Sequence, residues 1–106
     1  MASHMNNTRW RVILPLLKDV ARRIDVKWIL DDESNGWTNR YLIPTDGYFE
    51  PLPLGPIAFR EIEWILIDPI EFQSVKEKLI YLKLPITVEG QYLKIWGYTH
   101  HATNFV

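Results

Sequence analysis

The nine residues YFEPLPLGP, positions 48–56, constrain the fold more than any other stretch of this chain. Three prolines, each without a backbone donor and each locked near one φ, exclude a helix interior and a central strand. The residue before each proline is driven toward extended geometry. The stretch therefore reads as a rigid crossover that delivers the chain from one β element into the next. Pro53 and Pro56 stand in PxxP spacing, but a peptide-ligand role requires a free extended segment, and this one is confined between two β elements. Its acidic entrance, Tyr48, Phe49 and Glu50, is the end where a partner is expected.

The flanking segments are periodic. Trp10, Ile13, Leu14, Leu17, Val20, Ala21 and Ile24 recur at three- and four-residue spacing, with Arg9, Arg11, Lys18, Arg22 and Arg23 opposite them. This predicts an amphipathic helix over residues 8–24, capped by Asn7 or Thr8 and kinked or loosened at Pro15. Val26, Trp28 and Leu30 then alternate with Lys27, Ile29 and Asp31, and residues 37–43 alternate again after the turn residues 32–36. Residues 26–43 thus predict a β-hairpin. Residues 57–67, IAFREIEWILI, make the strongest strand: Arg60, Ile62, Trp64 and Leu66 on one face, Phe59, Glu61, Glu63, Ile65 and Ile67 on the other. Asp68, Pro69 and Glu71 have the chemistry of a helix start, predicting a helix through Lys83 that Pro85 closes. A second hairpin follows, turning at Glu89-Gly90, with Tyr92, Lys94, Trp96 and Tyr98 on one face.

The order is α-β-β-β-α-β-β. The simplest solution is an α+β, two-layer fold, a mostly antiparallel sheet with two helices packed on one face, in which strand 57–67 pairs with strand 91–98. At 106 residues the chain can bury one core without staples. Residues 1–5, MASHM, read as an expression-tag remnant, residues 6–99 as a single domain and residues 100–106 as a flexible tail. The chain has no cysteine, which excludes disulfides and thiolate metal sites. No apolar run is long enough to cross a bilayer, so a cytoplasmic protein without a membrane partner is expected.

Charge is unevenly partitioned. Residues 6–30 hold six Lys/Arg against two Asp, a balance of +4; residues 31–68 hold eight Asp/Glu against two Arg, a balance of −6; residues 69–106 come to +1. The acidic middle repels nucleic acid and attracts a cationic partner. The tryptophans and tyrosines could stack on bases only in a basic surround, and the surround of Trp37 and Trp64 is acidic. Nucleic acid is not an expected partner.

Candidate catalytic groups are few. Glu61 and Glu63, two apart on one strand face, would project their carboxylates roughly 7 Å apart, as an acid/base pair requires; a solvated strand face looks the same. Asp31, Asp32 and Glu33 do not match a calcium loop. His100 and His101 are adjacent and supply no three-ligand site. Neither Ser34 nor Ser74 lies in a nucleophile-elbow setting, and no glycine-rich phosphate loop occurs. No metal, no cofactor and no catalytic residue is expected.

The motifs REIEWI (60–65) and IWGY (95–98), with KWI (27–29) upstream, resemble a family of small uncharacterised bacterial proteins over residues 8 to 99. That resemblance implies no catalytic residues. In kind, the chain is also similar to immunity proteins of bacterial toxin systems, which are small, free of cysteine and acidic where they meet a basic toxin. The expected function is a non-enzymatic protein-binding module of this type, contacting a basic protein partner, a cognate toxin, through Asp31, Asp32, Glu33, Asp46, Tyr48, Phe49 and Glu50. The alternative is a small enzyme or ligand-binding domain with a pocket at Arg60, Glu61, Glu63, Trp64 and Tyr98. A homodimer through an exposed apolar sheet face is a third reading.

Overall fold

The computed structural model describes residues 2–29, 37–38, 48–49 and 57–106. The elements are β1 (Ala2–Ser3), α1 (Asn7–Val20), β2 (Ala21–Trp28), β3 (Trp37–Thr38), β4 (Tyr48–Phe49), β5 (Ile57–Ala58), a 3-10 turn (Phe59–Glu61), β6 (Ile62–Pro69), α2 (Phe72–Tyr81), β7 (Ile86–Glu89), β8 (Tyr92–Trp96) and β9 (Tyr98–Thr99). β3, β2, β6, β8 and β7 form one five-stranded sheet in that order, antiparallel throughout. This is the expected α+β arrangement, and β6 pairs with β8 as the sequence predicts.

The register shows which face is buried. Val26, Ile65, Ile95 and Ile86 lie side by side across four strands, and so do Ile24, Ile67, Leu93 and Val88. Residues directly opposite in an antiparallel ladder share a face. All of these are buried except Val88, on the edge strand. Trp10, Ile13, Leu14 and Leu17 from α1 and Val75 and Leu79 from α2 join them in one cluster, so both helices cover the same face of the sheet.

Several boundaries differ from the sequence expectation. α1 ends at Val20, and Ala21 is already extended (φ −113, ψ 140). The register shift between Ala21 and Arg23 inserts Arg22 as a bulge; the extra residue lets Ala21 and Ile24, three apart, both turn into the core. A bulged strand thus imitates helical spacing. Asn6 caps α1, its Oδ1 accepting from the Arg9 N–H at 2.8 Å. The helix runs on through Pro15, which faces solvent.

α2 begins later than Asp68 suggests. Asp68 and Pro69 complete β6 opposite Arg23 and Ala21, and the Ile70 N–H donates to Val20 O at 2.9 Å. The cap is Glu71, whose carboxylate accepts from the Ser74 N–H at 2.6 Å. The helix ends at Tyr81 and does not reach Lys83, which takes φ 58 in the following turn.

The stretch 57–67 is not one strand. β5 pairs with β4, the 3-10 turn drops Phe59 into the core, and β6 enters the main sheet. Tyr48 lies opposite Ala58 and Phe49 opposite Ile57. β4 and β5 are thus antiparallel neighbours; residues 50–56, where a rigid crossover is expected, lie outside the described residues. Residues 2–3 pair with β9. In the terminal stretch 100–106, the Val106 N–H donates to Ile86 O at 3.0 Å and Phe105 meets the His4 ring edge-on at 4.9 Å.

Candidate functional site

The central strand carries a second bulge, and the site is built on it. Ile62 pairs with Trp28 and Trp64 with Lys27, which leaves Glu63 without a Cα partner on β2. The interruption breaks the strict alternation of strand side chains. Ile62 is buried with Ile65 and Ile67, while Glu63 is held in reach of Lys27. The opposite flank of the bulge is closed by Gly97, whose N–H donates to Glu63 O at 2.7 Å.

Glu63 is only 6% exposed. Its Oε1 accepts from Lys27 Nζ at 3.1 Å, and His100 Nε2 stands 3.1 Å from the same oxygen. A carboxylate removed from water requires such partners, because an unpaired buried charge is far costlier than a paired one. Tyr98 fastens the neighbouring strand by donating its hydroxyl to Arg60 O at 2.8 Å. On the sheet face away from the helices, Lys94 Nζ lies 4.4 Å from the Trp64 ring centre and 4.9 Å from that of Trp96, within cation–π range. It also pairs with Glu89 at 3.2 Å, while Trp96 Nε1 donates to Thr87 Oγ1 at 2.8 Å.

The five residues of the expected pocket are only partly brought together. Glu63 and Trp64 adjoin at the bulge. Glu61 faces solvent in the 3-10 turn, so the side-by-side carboxylates expected of a continuous strand do not form. The turn is the reason, since it rotates Glu61 out of register with Glu63. Arg60 is exposed too and, with Tyr98, lines a separate open cleft of about 460 Å³ at the start of α1, beside Asn6 and Trp10. Lys27 and His100 are not among the pocket residues the sequence suggests. Lys27 looked like one polar position of an alternating strand, and His100 like part of a free tail.

The chemistry of this cluster is that of a neutralised ion pair. A carboxylate orienting a histidine is one part of a nucleophilic triad, but among the described residues no hydroxyl is hydrogen-bonded to His100. No group of three or more His, Asp or Glu able to hold a metal occurs among them either. No helix among the described residues is long and apolar enough to cross a membrane.

Of the expected partner-binding residues, Asp31, Asp32, Glu33, Asp46 and Glu50 lie outside the described residues. Tyr48 and Phe49 form β4. The chain enters the acidic segment beside Glu61, to whose carbonyl the Ile29 N–H donates at 2.9 Å. It returns through β5 directly into the same turn. The described flanks of residues 30–56, Ile29 and β5, thus meet at one end of β6.

A family model described as a family of unknown function (DUF6678) matches residues 1–102. No curated protein and no solved structure matches the chain.

Proposed function

We propose that this chain, which belongs to that family of unknown function, is a non-enzymatic protein-binding module that masks a basic protein partner through an acidic surface. The observation that carries this reading is that the chain leaves β2 at Ile29 and returns at β5 beside the same 3-10 turn, so that both flanks of residues 30–56, which hold five of the eight acids of the −6 segment 31–68, meet at one end of β6. The segment's other three acids lie among the described residues. Glu63 is held by Lys27 and Asp68 by Arg23 (3.4 Å), whereas Glu61 faces solvent. Among the described acids of this segment Glu61 is the one that faces solvent; the proposed surface adds Asp31, Asp32, Glu33, Asp46 and Glu50, which lie outside the described residues. Charge of one sign gathered on one surface accelerates and orients encounter with the opposite sign; Tyr48 and Phe49 would supply the aromatic anchors. A toxin with a basic working surface, acting in the cytoplasm, is the partner of this chemistry.

The test is titration calorimetry of the chain against a basic toxin domain encoded beside its gene. Binding should weaken as salt rises, and combined reversal of Asp31→Lys, Asp32→Lys and Glu50→Lys should abolish it. Undiminished binding by that variant would reject the surface. A second reading, a ligand-binding or catalytic pocket, is supported by the burial of Glu63 beside His100. It ranks lower because Lys27 already holds the carboxylate while Arg60 and Glu61 face solvent.

A further inference from the structure

From the groove between α1 and the turn after α2, we infer that the chain has a second binding surface, of opposite charge, which takes a short acidic peptide segment bearing a bulky aliphatic anchor. Val12 on α1 is 67% exposed and Leu82 at the end of α2 is 39% exposed. Single exposed aliphatic residues are ordinary, but these two line the same groove of about 220 Å³, whose remaining walls are Thr8, Arg9, Ile13 and Leu84. Ile13 and Leu84 are buried and make an apolar floor. One aliphatic side chain inserted there would cover apolar surface contributed by both helical segments.

The rim specifies the charge of the occupant. Arg9 Nη2 donates to Lys83 O at 2.6 Å and Nη1 to His4 O at 3.2 Å. These bonds fasten the turn in which Lys83 holds its positive φ of 58. Both acceptors are carbonyls, and neither Arg9 nor Lys83 has a carboxylate within salt-bridge distance among the described residues. An occupant of the groove would withdraw Arg9 from water. A neutral or basic segment would leave that cation uncompensated, whereas a carboxylate would meet it with a charge-assisted hydrogen bond. The floor of the groove is apolar and its charge lies at the rim, so an acidic peptide with an aliphatic anchor fits it better than nucleic acid or a lipid surface. Its α1 wall belongs to the basic residues 6–30, and its other wall is the turn after α2.

The probe is the peptide acetyl-EEELLEEE-amide, titrated into the isotope-labelled full chain with backbone amide shifts as the readout. Shifts should concentrate at residues 8–13 and 82–84. Replacing the leucines by alanine or the glutamates by lysine should weaken binding by about tenfold or more, the effect of one lost anchor or charge-assisted contact. Val12→Glu and Lys83→Gln alter exposed positions and should do the same without unfolding the chain. No shift at these residues at millimolar peptide overturns the inference. So does equal binding of the lysine peptide, or perturbation of the groove by anionic phospholipid vesicles and not by the peptide. Self-association that Val12→Glu abolishes would make a second copy the occupant and would also overturn it.

Discussion

Gly97 packs against Ile62 so closely that a Cβ at position 97 would stand 2.2 Å from the Ile62 carbonyl oxygen. The contact sets the bend between β8 and β9 onto the bulge of the central strand, with the Gly97 N–H bonded to Glu63 O. The obstructing atom is backbone, so no side-chain rotation can relieve it. Gly97→Ala should therefore destabilise the fold by about 1–3 kcal/mol, the range of overpacking. Gly90→Ala meets no atom within 4 Å and is strained only through its φ of +64, at a cost of about 1 kcal/mol. Urea denaturation of the two variants checks the order; equal midpoints would contradict it.

The Lys27–Glu63 pair should behave as a buried ion pair. Lys27→Met leaves the carboxylate short of its partner and should cost on the order of 3 kcal/mol. Glu63→Gln together with Lys27→Met should cost less than the sum of the two single changes, because neither charge is then stranded. A double-mutant cycle by chemical denaturation measures this coupling. Strict additivity would mean that the pair is solvated and contributes little.

The start of α2 offers a local test. Glu71→Ala removes the acceptor of the Ser74 N–H and should cost about 1 kcal/mol, as loss of an N-cap does. Asp68→Asn removes only a partly exposed ion pair with Arg23 and should cost less than about 1 kcal/mol. Were Asp68 the cap, as its neighbours Pro69 and Glu71 suggest, the order would reverse.

These positions show why the sequence is legible in one respect and not in another. Leu93 and Ile95 against Lys94, and Ile65 and Ile67 against Leu66, announce their faces because strand alternation is a local property of the backbone. Ala21 and Ile24 mislead because a bulge adds a residue and turns a spacing of two into three. Glu63 misleads for the same reason. Its pairing with Lys27 spans 36 residues and that with His100 spans 37, and no local pattern encodes either.

By itself the sequence determined the order of helices and strands, the antiparallel pairing of the central strand with the last hairpin, the turn at Gly90 and the opposed charges of its segments. All of these follow from side-chain period, turn chemistry and charge along a short stretch of chain. The tertiary structure alone decided where α1 yields to β2, where α2 begins, and that Glu63 rather than Glu61 is buried. It alone brought Val12 and Leu82 to one groove under Arg9. The physical reason is common to all of them. A backbone group takes whichever hydrogen-bond partner the assembled sheet presents, and the bulges that reconcile β2 with β6 arise only when the two strands meet.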